Sequence, residues 1–353
     1  MKKYLIILLT LVLSFSLFAC QSKTQDQGNQ SNDDDMQGQM EEMPLYYIYT
    51  ANEDEANVSI INMKTMGIEM TVPVGNSPHN VQVTPDGKFV YVVENQDNSI
   101  SAIDTTSGQV VNSIDVGAGP SHIVFSPDSN TAYVTVAEMA EDMNGDSSMT
   151  DDIAIGNLYV VDLQNASVTA KIPVGKMPHG LRMSPDNKYI FVANSNSNDV
   201  SVIDVASNSV IKTLPIGNGP VQPAFTPDNK YAFVTLGNDN SVAVVDMANM
   251  SVIKTIPVGK NPIQLHSTPD SKLIYVANED SGDVSVIDVA SMNVTDTIAT
   301  GDKAHGVAIS KDGSYVFVTN RGANTVSVID PMDNSIVNTV NVGKSPNGIT
   351  IKE

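Results

Sequence analysis

Five histidines stand in this 353-residue chain, and three of them share one position in an internal repeat. His79, His179 and His305 each lie at the start of a short apolar run, and His122 lies one residue past the same position. Neutral imidazoles converging on a common axis bind Cu or Zn, since both metals accept aromatic nitrogen. The equivalent positions elsewhere hold Ser121, Val221, Ile263 and Asn347, so the histidine also reads as a habit of the repeat that hydrogen-bonds the preceding loop. Further along the same runs, positions held by Gly180, Gly306, Ala308 and Gly348 in some copies carry Asn80, Gln82, Arg182, Gln222, Gln264 and His266 in others. If those side chains lean into a channel, Arg182 and His266 form a polar cluster able to hold an anionic small molecule. The plainer alternative is a water-filled channel lined by polar groups.

Other candidates are carboxylates and thioethers. Glu94 replaces Asn at a recurring position and is the one odd carboxylate near the histidines, hence a candidate for metal-assisted hydrolysis. Asp142, Asn144 and Asp146 alternate as in a calcium loop, but Ser147 stands where Gly is required and Ile153 where the bidentate Glu belongs. An EF-hand is excluded, and loose Ca2+ binding is left. Met139, Met143 and Met149, with Met36, Met40 and Met43, are spaced as in segments that hold Cu(I) through thioethers, a spacing that acidic disordered stretches also produce. No G-x-S-x-G, P-loop, H-E-x-x-H or C-x-x-C-H sequence occurs, so no haem attachment is expected.

The elements that must position these residues follow from the repeat. Val-Gly, Ile-Gly or Thr-Gly recurs at Gly75, Gly117, Gly175, Gly217, Gly259, Gly301 and Gly343. The spacing is 42 residues except between Gly117 and Gly175, where it is 58, so one unit carries an insertion of 16. Each unit alternates β-branched runs with Pro-Asp and similar turns, which predicts four short strands; in the first they cover 79–83, 89–93, 99–104 and 110–116. Four antiparallel strands per repeat of this length make a propeller blade. Six units are complete. Residues 46–74 hold three further strands and 347–351 one, so the two ends must share a seventh blade, which closes the ring and removes exposed sheet edges. The expected fold is all-β, a seven-bladed β-propeller over 45–353, with the insertion at 138–153 between the second and third strands of its blade.

The strings YVVEN, YIFVAN, LIYVAN and YVFVTN, together with VSVID and PVG, resemble the YVTN-repeat β-propeller family over about residues 46–353. That resemblance implies a propeller. It leaves function open, since the family and its relatives include surface-layer and envelope proteins, lactonase-like enzymes and the propellers of nitrous oxide reductase and cytochrome cd1.

The N-terminus supplies an address. MKKYLIILLTLVLSFSLFAC has two lysines, an apolar run and Ala19 before Cys20, the pattern of a secretory signal too short for a stable span. Its ending resembles the lipobox of bacterial lipoproteins, which implies lipidation of Cys20 and an extracytoplasmic protein anchored to a bacterial membrane. Residues 21–44 are polar, acidic and aperiodic, as a disordered tether would be. A net charge of −21 argues against nucleic acid and anionic lipid surfaces as partners. Together these features point to a monomeric envelope binding module for a ligand, metal or partner protein, with a lactonase-like hydrolase and an adhesive platform as alternatives.

Overall fold

Short β-branched runs between turns cannot bury themselves singly, and here they associate in fours. The computed structural model describes residues 46–138 and 155–353. Among these, 28 strands form seven four-stranded antiparallel sheets. Blade 1 has strands Pro78–Val83, Phe89–Glu94, Ser99–Asp104 and Val110–Asp115, each within a residue or so of expectation. In blade 7 the C-terminal strand Pro346–Lys352 pairs with Tyr47–Asn52, which is followed by Asn57–Asn62 and Gly67–Pro73. The register sets Ile48 opposite Ile351 and Thr50 opposite Ile349. The shared blade expected from the two ends is therefore present.

The buried apolar residues fall into seven clusters, and every cluster joins two neighbouring blades. Alternation within one strand explains this. In the second strand of blade 4, Tyr231–Leu236, the residues Ala232, Val234 and Leu236 pack toward blade 3, while Phe233 packs toward blade 5. Side chains of a strand point alternately to the two faces. Both faces are covered, so these strands read as near-continuous apolar runs.

A contact at one rim accounts for the repeating glycine. Asn52, Asn194, Asn278 and Asn320 end second strands and are wholly buried. Each donates from Nδ2 to the residue five positions on and to the serine seven on; for Asn278 these are Asp283 at 2.7 Å and Ser285 at 2.9 Å. A Cβ on Gly259 would lie 2.6 Å from Asn278 Cγ, and Gly175, Gly301 and Gly343 meet Asn194, Asn320 and Asn52 in the same way. The glycine is needed for close approach.

At the other rim the acidic residues are turn caps. Asp86, Asp186, Asp228 and Asp270 accept hydrogen bonds from a hydroxyl two residues earlier and each pairs with a lysine two residues later. Asp104, Asp162, Asp204, Asp246 and Asp288 accept backbone N–H groups of the turns that follow them. Much of the negative charge is thus turn chemistry.

Glu138, expected in the insertion, instead ends the strand Thr131–Glu138 and pairs with Ile155. Asp142, Asn144, Asp146 and Cys20 lie outside the described residues.

Two tests follow. Ile349 is buried in the cluster joining blades 6 and 7, so Ile349→Ala should destabilise the chain by about 2–5 kcal/mol in denaturant melts. Deleting residues 346–353 should cause a larger loss of cooperative unfolding. Gly259→Ala should cost roughly 1–3 kcal/mol by overpacking, with part of the loss relieved when Asn278→Ala is added.

Candidate functional site

The start of every inner strand is built alike. The residue before it has positive φ: 53° at Ser77, 72° at Gly119, 51° at Met177, 62° at Gly219, 52° at Asn261, 59° at Lys303 and 52° at Ser345. Pro follows in six blades and Ala304 in the other. Pro suits a strand's first residue because it has no N–H to place in the ladder. In each blade the pairing with the second strand then shifts register over the next residues. Such a bulge re-aims side chains that a regular strand would send to opposite faces.

Threonines in the second strand satisfy backbone groups at this irregularity. Thr135, Thr235 and Thr319 accept from the N–H of His122, Gln222 and Gly306 through Oγ1, at 3.0, 3.0 and 2.7 Å. The same hydroxyls donate to the carbonyls of His179, Ile263 and Asn347 in the next blade, at 2.6, 2.7 and 2.9 Å. A buried backbone group needs a partner, and one hydroxyl here serves two blades.

This geometry gathers three histidines from blades 1, 2 and 3. One nitrogen from each of His79, His122 and His179 lies within 4.8 Å of the others. His79 Nε2 and His179 Nε2 are 3.3 Å apart. The ring centroids stand 5.2 Å apart for His79 and His122, and 4.5 Å for His122 and His179. His305 is buried in the same neighbourhood but lies outside this group, and its Nδ1 has no hydrogen-bond partner. Of the four histidines at or beside the ring position, the structure therefore brings together His79, His179 and His122.

Each of the three has its other nitrogen held. His179 Nδ1 is 3.3 Å from the Val221 carbonyl, and His122 Nδ1 is 3.0 Å from Ser121 Oγ. His79 Nδ1 is 3.6 Å from Glu53 and 3.0 Å from Asn347 Nδ2. His122 Nε2 is buried without a partner. Burial, followed by the neighbouring imidazoles, holds His122 well below the usual histidine range; burial and His79 hold His179 down at about 3. Both are neutral at pH 7, the state in which imidazole binds metal.

Glu53, Glu279 and Arg321 are the site residues that sequence reasoning missed. Each follows the Asn that ends a second strand, a register that would have revealed them as charged where other blades carry Asn95, Ser195 or Gly237. Arg321 donates to Glu53 at 2.6 Å and reaches Glu279 at 3.5 Å, while Asn347 donates to Glu53 at 3.0 Å. Burial alone would raise the Glu53 carboxyl. The nearby His79 imidazole, a hydrogen bond from Asn347 and the charge of Arg321 outweigh it and hold the group at about 2.

Glu94 is placed elsewhere. Its carboxylate accepts from the Gly75 N–H at 2.7 Å and from Ser99 Oγ at 2.5 Å, the blade-1 version of the Asn contact beside the glycine. It is buried inside its own blade, and Glu53 is the carboxylate at the histidines.

Arg182, His266, Gln82, Gln222 and Gln264 share a cavity of about 580 Å³ on the propeller axis. Its wall also contains Pro85, Gly87, Pro227 and Pro269 from turns of the rim opposite the histidines. His122 is the one member of the histidine group that also lines the cavity. Burial, then the charge of Arg182, lowers His266 to about 4.

The comparisons with known proteins fit this architecture. A family model described as lactonase, seven-bladed β-propeller, matches residues 45–246. A YNCE-like β-propeller model matches 270–353, and a cytochrome D1 heme domain model matches 220–300. No curated protein matches. Among solved structures, Kuenenia stuttgartiensis hydrazine synthase is 22% identical with a TM-score of 0.69, covering 80% of this chain and 91% of that one. A functionally unknown protein from Desulfotomaculum acetoxidans is 17% identical with a TM-score of 0.72, covering 86% and 98%. The dihydro-heme d1 dehydrogenase NirN, in complex with DHE, is 15% identical with a TM-score of 0.62, covering 87% and 75%. At these identities the likenesses concern the fold. Because the first family model spans more than half of the sequence, the chain belongs to the lactonase-type seven-bladed β-propeller family.

Proposed function

We propose that this protein is a cell-envelope lipoprotein whose propeller is a binding module, with a Zn2+ or Cu2+ centre formed by His79, His122 and His179. The observation that carries the reading is the convergence of three imidazoles whose remaining nitrogens face the Glu53 carboxylate, Ser121 Oγ and the Val221 carbonyl. Ligating histidines are oriented by such partners on the second ring nitrogen. Two nitrogens each about 2.0–2.1 Å from a tetrahedral Zn2+ stand about 3.3–3.4 Å apart. The pair His79 and His179 meets that spacing at 3.3 Å. Imidazoles suit Zn and Cu, whereas Ca2+ takes oxygen ligands and would look to the 139–154 segment instead. The lipid anchor rests on the Ala19-Cys20 junction and the aperiodic acidic stretch after it.

A second reading, a metal-dependent hydrolase acting on lactones, is favoured by the family match over residues 45–246. In that case the three histidines leave the metal a fourth position for water, as catalytic zinc sites do. Glu53, beside His79, would then orient a ligand; it would not attack the substrate.

The metal proposal is tested by loading the purified chain with Zn2+ or Cu2+, removing excess by gel filtration and measuring metal per chain. One equivalent is expected, falling to background in His122→Gln/His179→Gln with an unchanged circular dichroism spectrum. Metal retained by that double variant would sink the centre as drawn. Lactone hydrolysis by the loaded wild-type chain, lost in the same variant, would move the preference to the second reading. For the anchor, Cys20→Ser should shift the protein from the membrane fraction to the soluble fraction. An unchanged distribution would remove the lipid.

A further inference from the structure

Below the histidines the axis holds a charge with no counter-charge. Arg182 lies on the inner strand Pro178–Met183 and faces the cavity of about 580 Å³. Among the described residues no carboxylate pairs with it and no hydrogen bond forms to it. The other arginine of the propeller, Arg321, is in contrast bound to Glu53 and Glu279. Arg182 is partly buried and its nitrogens stay open to the cavity, so its positive charge faces the space at the axis with no protein partner. An anion in the cavity would find this charge unopposed.

The surroundings agree with an anion. Gln264 is buried, lines the same cavity, and its Nε2 has no partner. His266, beside Arg182, bonds Ser267 O through Nδ1 at 3.0 Å and presents its other ring nitrogen as a neutral group. Lys311 and Lys352 stand at the rim. Glu353 is also at the rim, and its carboxylate is engaged by the Lys311 backbone N–H. The nearby turn carboxylates Asp86, Asp186, Asp228 and Asp270 are each paired with Lys88, Lys188, Lys230 or Lys272. These four pairs offset part of the negative charge of this rim.

We propose that this cavity is a binding site for a small carboxylate-bearing molecule, entering from the rim of the Pro-Asp turns, with Arg182 as its bidentate partner and Gln264 as an amide donor. A planar guanidinium matches a carboxylate with two parallel N–H···O bonds, a geometry a lysine does not reproduce. The volume is that of a small-molecule pocket. The site is separate from the histidine centre and does not require a metal. It meets that centre only at His122, which lines the cavity.

The test is calorimetric titration of the full chain, stripped of metal with a chelator that is then dialysed away, using acetate, succinate, citrate and inorganic phosphate. One-to-one binding of at least one carboxylate is expected, weakened tenfold or more in Arg182→Gln and several-fold in Arg182→Lys. Gln264→Leu, which leaves the charge in place, should weaken the same ligand less than Arg182→Gln. This second variant keeps the proposal testable if Arg182→Gln fails to fold by circular dichroism. His79→Ala/His179→Ala should leave carboxylate affinity unchanged, and Arg182→Gln should leave metal stoichiometry unchanged, so either site can fail without the other. Failure of every carboxylate to bind, binding of phosphate alone, or affinity indifferent to both Arg182→Gln and Gln264→Leu overturns the proposal.

Discussion

Every sheet in this molecule is apolar on both faces, and that constraint organises everything else. A strand such as Tyr231–Leu236 sends Phe233 to one neighbour and Ala232, Val234 and Leu236 to the other. A blade alone would leave both surfaces wet, at a cost of about 25 cal/mol per Å2 of apolar area. Only a closed ring satisfies all seven junctions with no terminal face. The joining of Pro346–Lys352 to Tyr47–Asn52 is the consequence, since an unpaired first or last blade would expose both an apolar face and a strand edge.

Closure also creates the functional positions. Seven inner strands converge on one axis, and each begins with a positive-φ residue and a register shift. The turn and the bulge decide which side chains meet there. The threonine hydroxyls that accept from bulged N–H groups and donate to the next blade couple this local irregularity to the ring. The histidine group thus stands on backbone that neighbouring blades hold in place, which is how a preorganised ligand set is built.

The axis is divided in its chemistry. Toward the rim of the Asn contacts stand three imidazoles, two of them held neutral by burial, braced by a carboxylate that Arg321 and Asn347 keep ionised. Toward the rim of the Pro-Asp turns the lining is amides, His266 and the unpaired guanidinium of Arg182. A cation suits the first and an anion the second. The acidity of the whole chain foretold neither, because part of it serves as turn caps and lysine pairs.

The fold was legible because it depends on local, periodic information. A 42-residue spacing, strand-length apolar runs and Pro-Asp turns specify a blade, and the incomplete ends, 46–74 and 347–351, specify closure. The repeating Val-Gly was visible too, although its cause, the buried Asn packed against it, was not. The histidine position was legible for the same reason, since His79, His179 and His305 share one place in the repeat. Strand periodicity alone would set His122 on the opposite face from such a ring. The bulge at the start of the inner strand overrides that alternation, so tertiary structure brought in His122 in place of His305. Glu53 stands at the histidines where Glu94 was expected, because these side chains reach across loops. Glu94 folds back onto Gly75 and Ser99 of its own blade, while Glu53 reaches His79 in the next blade and is held there by Arg321 and Asn347, contacts that exist only once the ring has closed.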